Sequence, residues 1–427
     1  MSITRTSWLP ALTSRRLRQL WYVPVLAVAM ALMMVRMLVM ARLLDLQGFA
    51  EFSGGMLVSA TFCMLGCLGL QPMLQREWPV QIVRRQERRP VIRALQCHVT
   101  ALGYFVAGLA AAACGWSPAG LSAPVLAVGL LHGFSQQCFL VDTVESRSRG
   151  DAVRFAWQNF ARAVLAMVIS VGIALATDSA LAALVADALV TQGLALAFLA
   201  RAMRRASLRA TVALRVAVRT LRGADWRSAA TLALTMVLGF VLLNADRWAA
   251  SERLGAEGFA HYSFVWIVLS LAQAVQVLVN SSVYPLVARR YAMHGPRAAF
   301  RVCVLASVAV LGVGAVLALP VVWAAQSAVE RWFPRYVDSI VLLPLFVPIA
   351  MLRVSDFWST FLLITGRESR LLQVNVIALI VGSALWLVAT RGWSGTPSTL
   401  SQVGSLAVLL TVAAYAGSTM IAWRANR

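Results

Sequence analysis

The stretch RLLDLQGFAEFS, residues 42–53, returns as ERLGAEGFAHYS at residues 252–263. At a constant offset of 210, Leu44/Leu254, Gly48/Gly258, Phe49/Phe259, Ala50/Ala260 and Ser53/Ser263 are identical, and Phe52/Tyr262 is conservative. So short a phrase in a Leu- and Ala-rich chain decides little by itself. Its surroundings decide more, because each copy follows one long apolar block and leads into another.

Hydrophobic residues make up 60% of the 427 and charged residues 13%, far more apolar side chain than a water-soluble domain can bury. The apolar blocks have the length that crosses a bilayer as helix, about 20 residues for roughly 30 Å of hydrocarbon. Blocks such as 54–75, 228–245, 262–288 and 392–423 carry no charge, whereas 20–41, 155–177, 180–200 and 336–363 carry one or more. We therefore expect an all-α integral membrane protein with twelve transmembrane helices. The strands of an outer-membrane barrel would be shorter and would alternate in polarity. The first block is too long for a cleavable leader and has no small-residue cleavage site.

All 38 basic residues are arginine. Most fall in connections on one side of the expected membrane, while the other side holds only Arg42, Arg247, Arg253, Arg331, Arg335 and Arg391. The positive-inside rule then places both termini of a multi-pass membrane protein in the cytoplasm, and the all-arginine basic set suggests GC-rich bacterial coding, so a bacterial inner membrane is expected. The net charge of +21 reads as topology and as attraction to anionic lipids at the cytoplasmic surface, with no nucleic acid partner expected. Cys63 and Cys67 share a helix face but have no His or carboxylate near them in sequence, so they read as packing residues.

Both copies of the repeated phrase sit after the first span of a six-span unit, on the arginine-poor side. LQPMLQR at 70–76 lines up in turn with VYPLVAR at 283–289, pairing Pro72 with Pro285. Six is even, so the units would share one orientation: two parallel six-helix halves around a central cavity, residues 1–200 and 223–427. Gly48 and Gly258 would permit a tight connection, and the following Phe or Tyr would sit at headgroup depth. Between the halves, Arg201, Arg204, Arg205, Arg209, Arg215, Arg219 and Arg222 gather on one side of a helix. Residues 201–222 are expected to form a basic amphipathic helix on the cytoplasmic surface.

ARLLDLQGFAEFS, the phrase DRWAASERLGAEGFAHYSF at 246–264 and the six-plus-six layout together resemble one known family. It comprises the Wzx-type O-antigen and capsule flippases of the multidrug/oligosaccharidyl-lipid/polysaccharide exporter superfamily. The family's aspartate–arginine pair at the end of span 7, with its leucine–glycine and glycine–aromatic phrases, is matched by Asp246, Arg247, Leu254, Gly255, Gly258 and Phe259. Asp45 departs from the pattern, standing where a glycine is expected.

A charge deep in a span costs roughly 2.5–3.5 kcal/mol on insertion scales and is kept where it faces a cavity or a partner. Such residues are Arg36; Arg154, Gln158 and Arg162, spaced by four along one block; Asp187; Asp246 and Arg247; and Arg353 with Asp356. Gln273, Gln276 and Asn280 add a polar face in the second half. A guanidinium presents a fixed fork of donors that matches phosphate oxygens, so Arg36, Arg162 and Arg353 are candidates to hold a diphosphate. Gln158, Asp246, Arg247, Gln276, Asn280 and Asp356 complete the candidate substrate-binding set. The competing reading pairs Arg36 with Asp246 and Arg353 with Asp356, merely locking the bundle. His98 and His132 read as packing residues, and Asp187 or Asp356 as candidates for coupling to H+ or Na+. No other cofactor, no metal and no catalytic residue is expected.

The resemblance implies a flippase that moves a polyprenyl-diphosphate-linked oligosaccharide from the cytoplasmic to the outer leaflet by alternating access. The load would be a repeat unit of O-antigen, capsule or exopolysaccharide, and polysaccharide-assembly membrane proteins would be partners. Two alternatives stand beside it: a cation-coupled multidrug or metabolite exporter of the same superfamily, and an integral membrane glycan polymerase or ligase. The enzyme reading lacks a paired-carboxylate site and a sizeable outer loop.

Overall fold

The computed structural model describes residues 22–391 and 400–426, and nearly all of them are helical. The first half of the chain forms α1 (Tyr22–Leu43), α2 (Leu46–Leu65), α3 (Leu70–Val83), α4 (Arg88–Ala113), α5 (Ala123–Asp142), α6 (Val144–Ser148), α7 (Ala152–Thr177) and α8 (Ala180–Arg205). The rest forms α9 (Ala210–Leu221), α10 (Trp226–Arg253), α11 (Gly255–Trp332), α12 (Leu343–Val354), α13 (Phe357–Ile364), α14 (Glu368–Arg391) and α15 (Leu400–Asn426). Twelve stretches among the described residues are long and apolar enough to cross a membrane, in line with the apolar blocks. Part of the first and last expected blocks, residues 20–21 and 392–399, lies outside the described residues.

Local chemistry sets the helix starts. Side chains of Asp45, Asp151, Ser179, Asp225 and Asp356 accept from backbone N–H groups in the first turns of α2, α7, α8, α10 and α13, satisfying donors that no intrahelical carbonyl can reach. Asp45, out of place in the family pattern, is thus the cap of α2: Gly48 N–H donates to its Oδ1 at 2.7 Å. The second copy solves the same turn differently, with Gly255 at φ +67°, a conformation that costs glycine little. Because α2 starts with polar Gln47 and Glu51, it begins before the apolar block 54–75 and ends at Leu65. Its inner position explains why it need not be uniformly apolar, since much of it packs on protein instead of lipid.

The helices sort into two groups. α2 packs on α5, α1 on α7, and α8 on both α5 and α7; in the second group α11 packs on α12 and α14 on α15, with α10 and α12 also against α15. The groups meet chiefly where α2 and α1 touch α10 and α11. At the arginine-poor end one core joins them, containing Phe49, Phe52, Phe259, Tyr262, Tyr336 and Phe346. Tyr336 in the second group donates to Ala41 O at 3.1 Å, and Ser251 to Ala119 O at 3.1 Å. Toward the arginine-rich end the second group has a core of its own around Phe300 and Phe357. There the groups touch at Gly69, φ +84°, so closely that a Cβ would collide with the Ala229 carbonyl.

Phe52 and Tyr262, expected at headgroup depth, do not face lipid. Both are fully buried, because the two copies of the phrase face the shared core and each other's group instead of lipid. The linker is two pieces: α8 runs to Arg205, the chain turns through Ser207 at φ +51°, and α9 follows. Ala213 and Ala217 of α9 pack beside Leu95 of α4.

Candidate substrate cavity and its buried charges

α1, α2, α10 and α11 enclose a cavity of about 610 Å³ where the two groups meet. Six methionines line it (Met33, Met34, Met37, Met56, Met64 and Met236), and its charged lining residues are Arg36 and Arg247. Asn244, Ser263, Ser270 and Gln273 supply neutral polar groups. No acidic residue is among the described residues of this lining. Methionine is unbranched and polarizable, which suits a wall that must fit irregular apolar matter.

The two arginines are held differently. Arg36 has no exposure and sits immediately behind the wall, where its Nη1 donates to Asp187 Oδ2. His132 Nε2 lies 3.0 Å from the same oxygen, and Thr191 Oγ1 donates to Oδ1 at 3.3 Å. Ser59 Oγ lies 2.7 Å from His132 Nδ1, and Arg162 Nε donates to Thr191 Oγ1 at 3.4 Å. Five helices, α1, α2, α5, α7 and α8, thus contribute to one buried polar cluster. Its guanidiniums, Arg36 and Arg162, outnumber its single carboxylate.

The second cluster lies in the other group. Tyr262 donates to Asp246 Oδ2 at 2.6 Å, and Arg353 and Arg247 are the cations near this carboxylate. Arg353 Nη2 donates to Leu243 O at 3.5 Å, and its Nε and Nη1 have no acceptor among the described residues. Arg247 lies over the Trp266 ring at 4.3 Å and donates to Ser53 O, across the boundary between groups, at 3.5 Å. Its Nε has no acceptor among the described residues. Here too arginines outnumber carboxylates two to one.

The structure therefore brings Arg36 and Arg247 to the cavity and sets Arg162 and Arg353 in the clusters beside it. Neither pairing of the locking alternative occurs among the described ion pairs: Arg36 takes Asp187, and Asp356 is occupied as the cap of α13, accepting from Ser359 and Ser418. Gln158 accepts from Ser146 Oγ at 2.5 Å, and Arg154 pairs with Glu145 at 3.0 Å, both within the first group. Gln276 lies on α11 one turn beyond Gln273 and is not part of the lining. Of Asn280 only its place on α11 is described. His132, a packing residue by its sequence context, is a member of the Asp187 cluster, and His98 joins α4 to Asp142 of α5 at 3.3 Å. Asn244 is a lining residue outside the expected set, although its place beside Asp246 and Arg247 is a usable signal. Cys63 and Cys67 donate to the carbonyls of Gly133 and Cys97.

No family profile and no curated protein matches the sequence. Solved structures do. An inward-facing multidrug resistance MATE family transporter of the MOP superfamily aligns over 95% of this chain and 98% of its own, at 15% identity and a TM-score of 0.62. The lipid II flippase MurJ, in an inward closed conformation, aligns over 96% of this chain and 88% of its own, at 9% identity and a TM-score of 0.67. The MATE multidrug transporter DinF-BH aligns over 99% of this chain and 98% of its own, at 14% identity and a TM-score of 0.62. The likeness is one of fold. It covers both groups of helices, and the neighbours are transporters and a flippase.

Proposed function

We propose that the chain is a flippase for a polyprenyl-diphosphate-linked oligosaccharide, working by alternating access in a bacterial inner membrane with its arginine-rich end in the cytoplasm. The observation that carries this reading is the charge balance of the cavity between the two helix groups. Arg36 and Arg247 adjoin it, no described acidic residue lines it, and each flanking cluster holds two arginines against one carboxylate. Uncompensated guanidinium charge in a low-dielectric interior favours an anion, and the fixed fork of donors fits phosphate oxygens. The methionine wall suits apolar matter adjoining the head group. A repeat unit of O-antigen, capsule or exopolysaccharide is the load that the sequence resemblance adds. One neighbour in fold, MurJ, is a flippase for lipid II.

The test is reconstitution in vesicles with a fluorescent polyprenyl-diphosphate-linked oligosaccharide. The wild-type chain should expose the head group on the far leaflet. Arg247→Gln should slow this by roughly ten- to a hundredfold, the loss of one charge-assisted hydrogen bond. Full-rate flipping by a well-folded Arg247→Gln protein would remove the proposed role of this residue.

A second reading, a cation-coupled multidrug exporter, is favoured by the buried Asp187–His132 contact, a carboxylate and imidazole able to take and return a proton. It predicts export of a cationic dye that is driven by a proton gradient and lost in Asp187→Asn. Dye export without glycan flipping would select it.

A further inference from the structure

A second cavity, of about 520 Å³, opens at the arginine-rich end between α3, α4 and the linker helix α9. It is separate from the cavity between the helix groups, and what it binds does not depend on which substrate the protein moves. Arg89 and Arg93 of α4 and Arg219 of α9 line it, against a single acid, Glu77 of α3. Glu77 and Arg93 lie 3.6 Å apart and are each about one-third exposed, so their pairing is weak and screened. Arg89 and Arg219 have no ion-pair partner among the described residues.

Three features mark this cleft as a built site. Arg93 Nη1 donates to Gln96 Oε1 at 3.0 Å, and Gln96, only 2% exposed, donates in turn to Thr220 Oγ1 of α9 at 2.8 Å. This chain of bonds holds Arg93 and α9 in register. Trp78, also 2% exposed, is among the lining residues, and its indole N–H lacks an acceptor among the described residues. Three like charges around one cleft repel one another unless an anion sits among them, and the volume is that of a small-molecule site.

We propose that this cleft binds a phosphate group, through Arg89, Arg93 and Arg219, and that the bound phosphate fastens the linker helix α9 to the α3–α4 hairpin. The phosphate belongs to a membrane lipid or to a free anion, and the chemistry of recognition is the same for both. A lipid source is favoured by α9 itself, where Val212, Leu214 and Val218 are each about half exposed beside the arginines. Such a surface lies at the boundary between headgroups and acyl chains.

The experiment uses the purified full chain in detergent and reads retained phosphatidylglycerol by native mass spectrometry, with inorganic phosphate as competitor. R93Q/R219Q should weaken retention by about tenfold for each guanidinium removed. R297Q/R301Q, which takes two exposed arginines from the arginine-rich part of α11, should change it by about twofold or less. Hydrogen exchange across α9 should slow on binding in the wild type and in R297Q/R301Q but not in R93Q/R219Q, with all three proteins eluting as folded species. Phosphatidylglycerol that phosphate does not displace assigns the lipid source; displacement by phosphate assigns the free anion. Equal loss in the two double variants, or a wild type that neither retains phosphatidylglycerol nor shows slower exchange across α9 with inorganic phosphate, overturns the site.

Discussion

The two buried charge clusters are alike in composition and unlike in how their carboxylates are satisfied, since Asp187 is bonded on both oxygens and Asp246 on one. In the first, Asp187 gathers Arg36, His132 and Thr191, and Arg162 reaches it through Thr191. In the second, Asp246 accepts from Tyr262 while its Oδ1 lacks a donor among the described residues; in both clusters arginine N–H groups lack a described acceptor, at Nε and Nη2 of Arg36, Nε of Arg247, and Nε and Nη1 of Arg353. A carboxylate bonded on both oxygens ties together the helices that share it, whereas one bonded on a single oxygen holds its arginines less firmly. We read the first cluster as a lock between helices and the second as the side from which a guanidinium can turn to an anion.

The largest effect that distinguishes them should come from Asp187→Ala. It strands Arg36 in the interior and should cost about 3–5 kcal/mol, read as lost yield and lowered thermal stability in detergent. Asp246→Ala should cost less, because no described ion pair is broken; equal losses would erase the distinction. A double variant, Arg36→Met with Asp187→Leu, should recover most of the stability lost by Asp187→Ala, since apolar residues of similar volume replace both charges. If it stays as unstable as Asp187→Ala, the cluster contributes through His132 and Thr191 instead. Tyr262→Phe should cost about 1–3 kcal/mol, the consequence of leaving the Asp246 carboxylate short of a donor. The smallest change expected is Asp356→Ala, about 1 kcal/mol from loss of the α13 cap. That variant should keep wild-type substrate preference in the vesicle assay, and altered preference would return Asp356 to the candidate site.

Sequence and structure agree best where the signal is one-dimensional. Membrane spans follow from runs of apolar side chain, and the runs are legible even where a helix begins outside its block, as α2 does at Leu46. Embedded charges are equally legible, because a charged residue in such a run is costly wherever it points. Their partners are not. Arg36 and Asp187 are separated by 151 positions, and helical periodicity gives the face a residue occupies on its own helix without naming the helix opposite. The offset of 210 suggests Asp246 as the partner of Arg36, but equivalent positions in a repeat lie in different groups. His132 escapes a sequence reading for the same reason, since only the approach of α5 to α8 turns it from a packing residue into a neighbour of Asp187.

The amino-acid sequence alone determined that this chain lives in a membrane, where its spans run, which end gathers the arginines and which charges are buried at a cost. Those properties are sums over local side-chain transfer energies, so order along the chain suffices to read them. Tertiary structure decided that Arg36 is locked by Asp187, that Asp356 is a helix cap, that Phe52 and Tyr262 face the core, and that a cavity lined by methionines adjoins two arginines. Each of those depends on which helices touch, and contact between distant segments is settled by packing of the whole bundle.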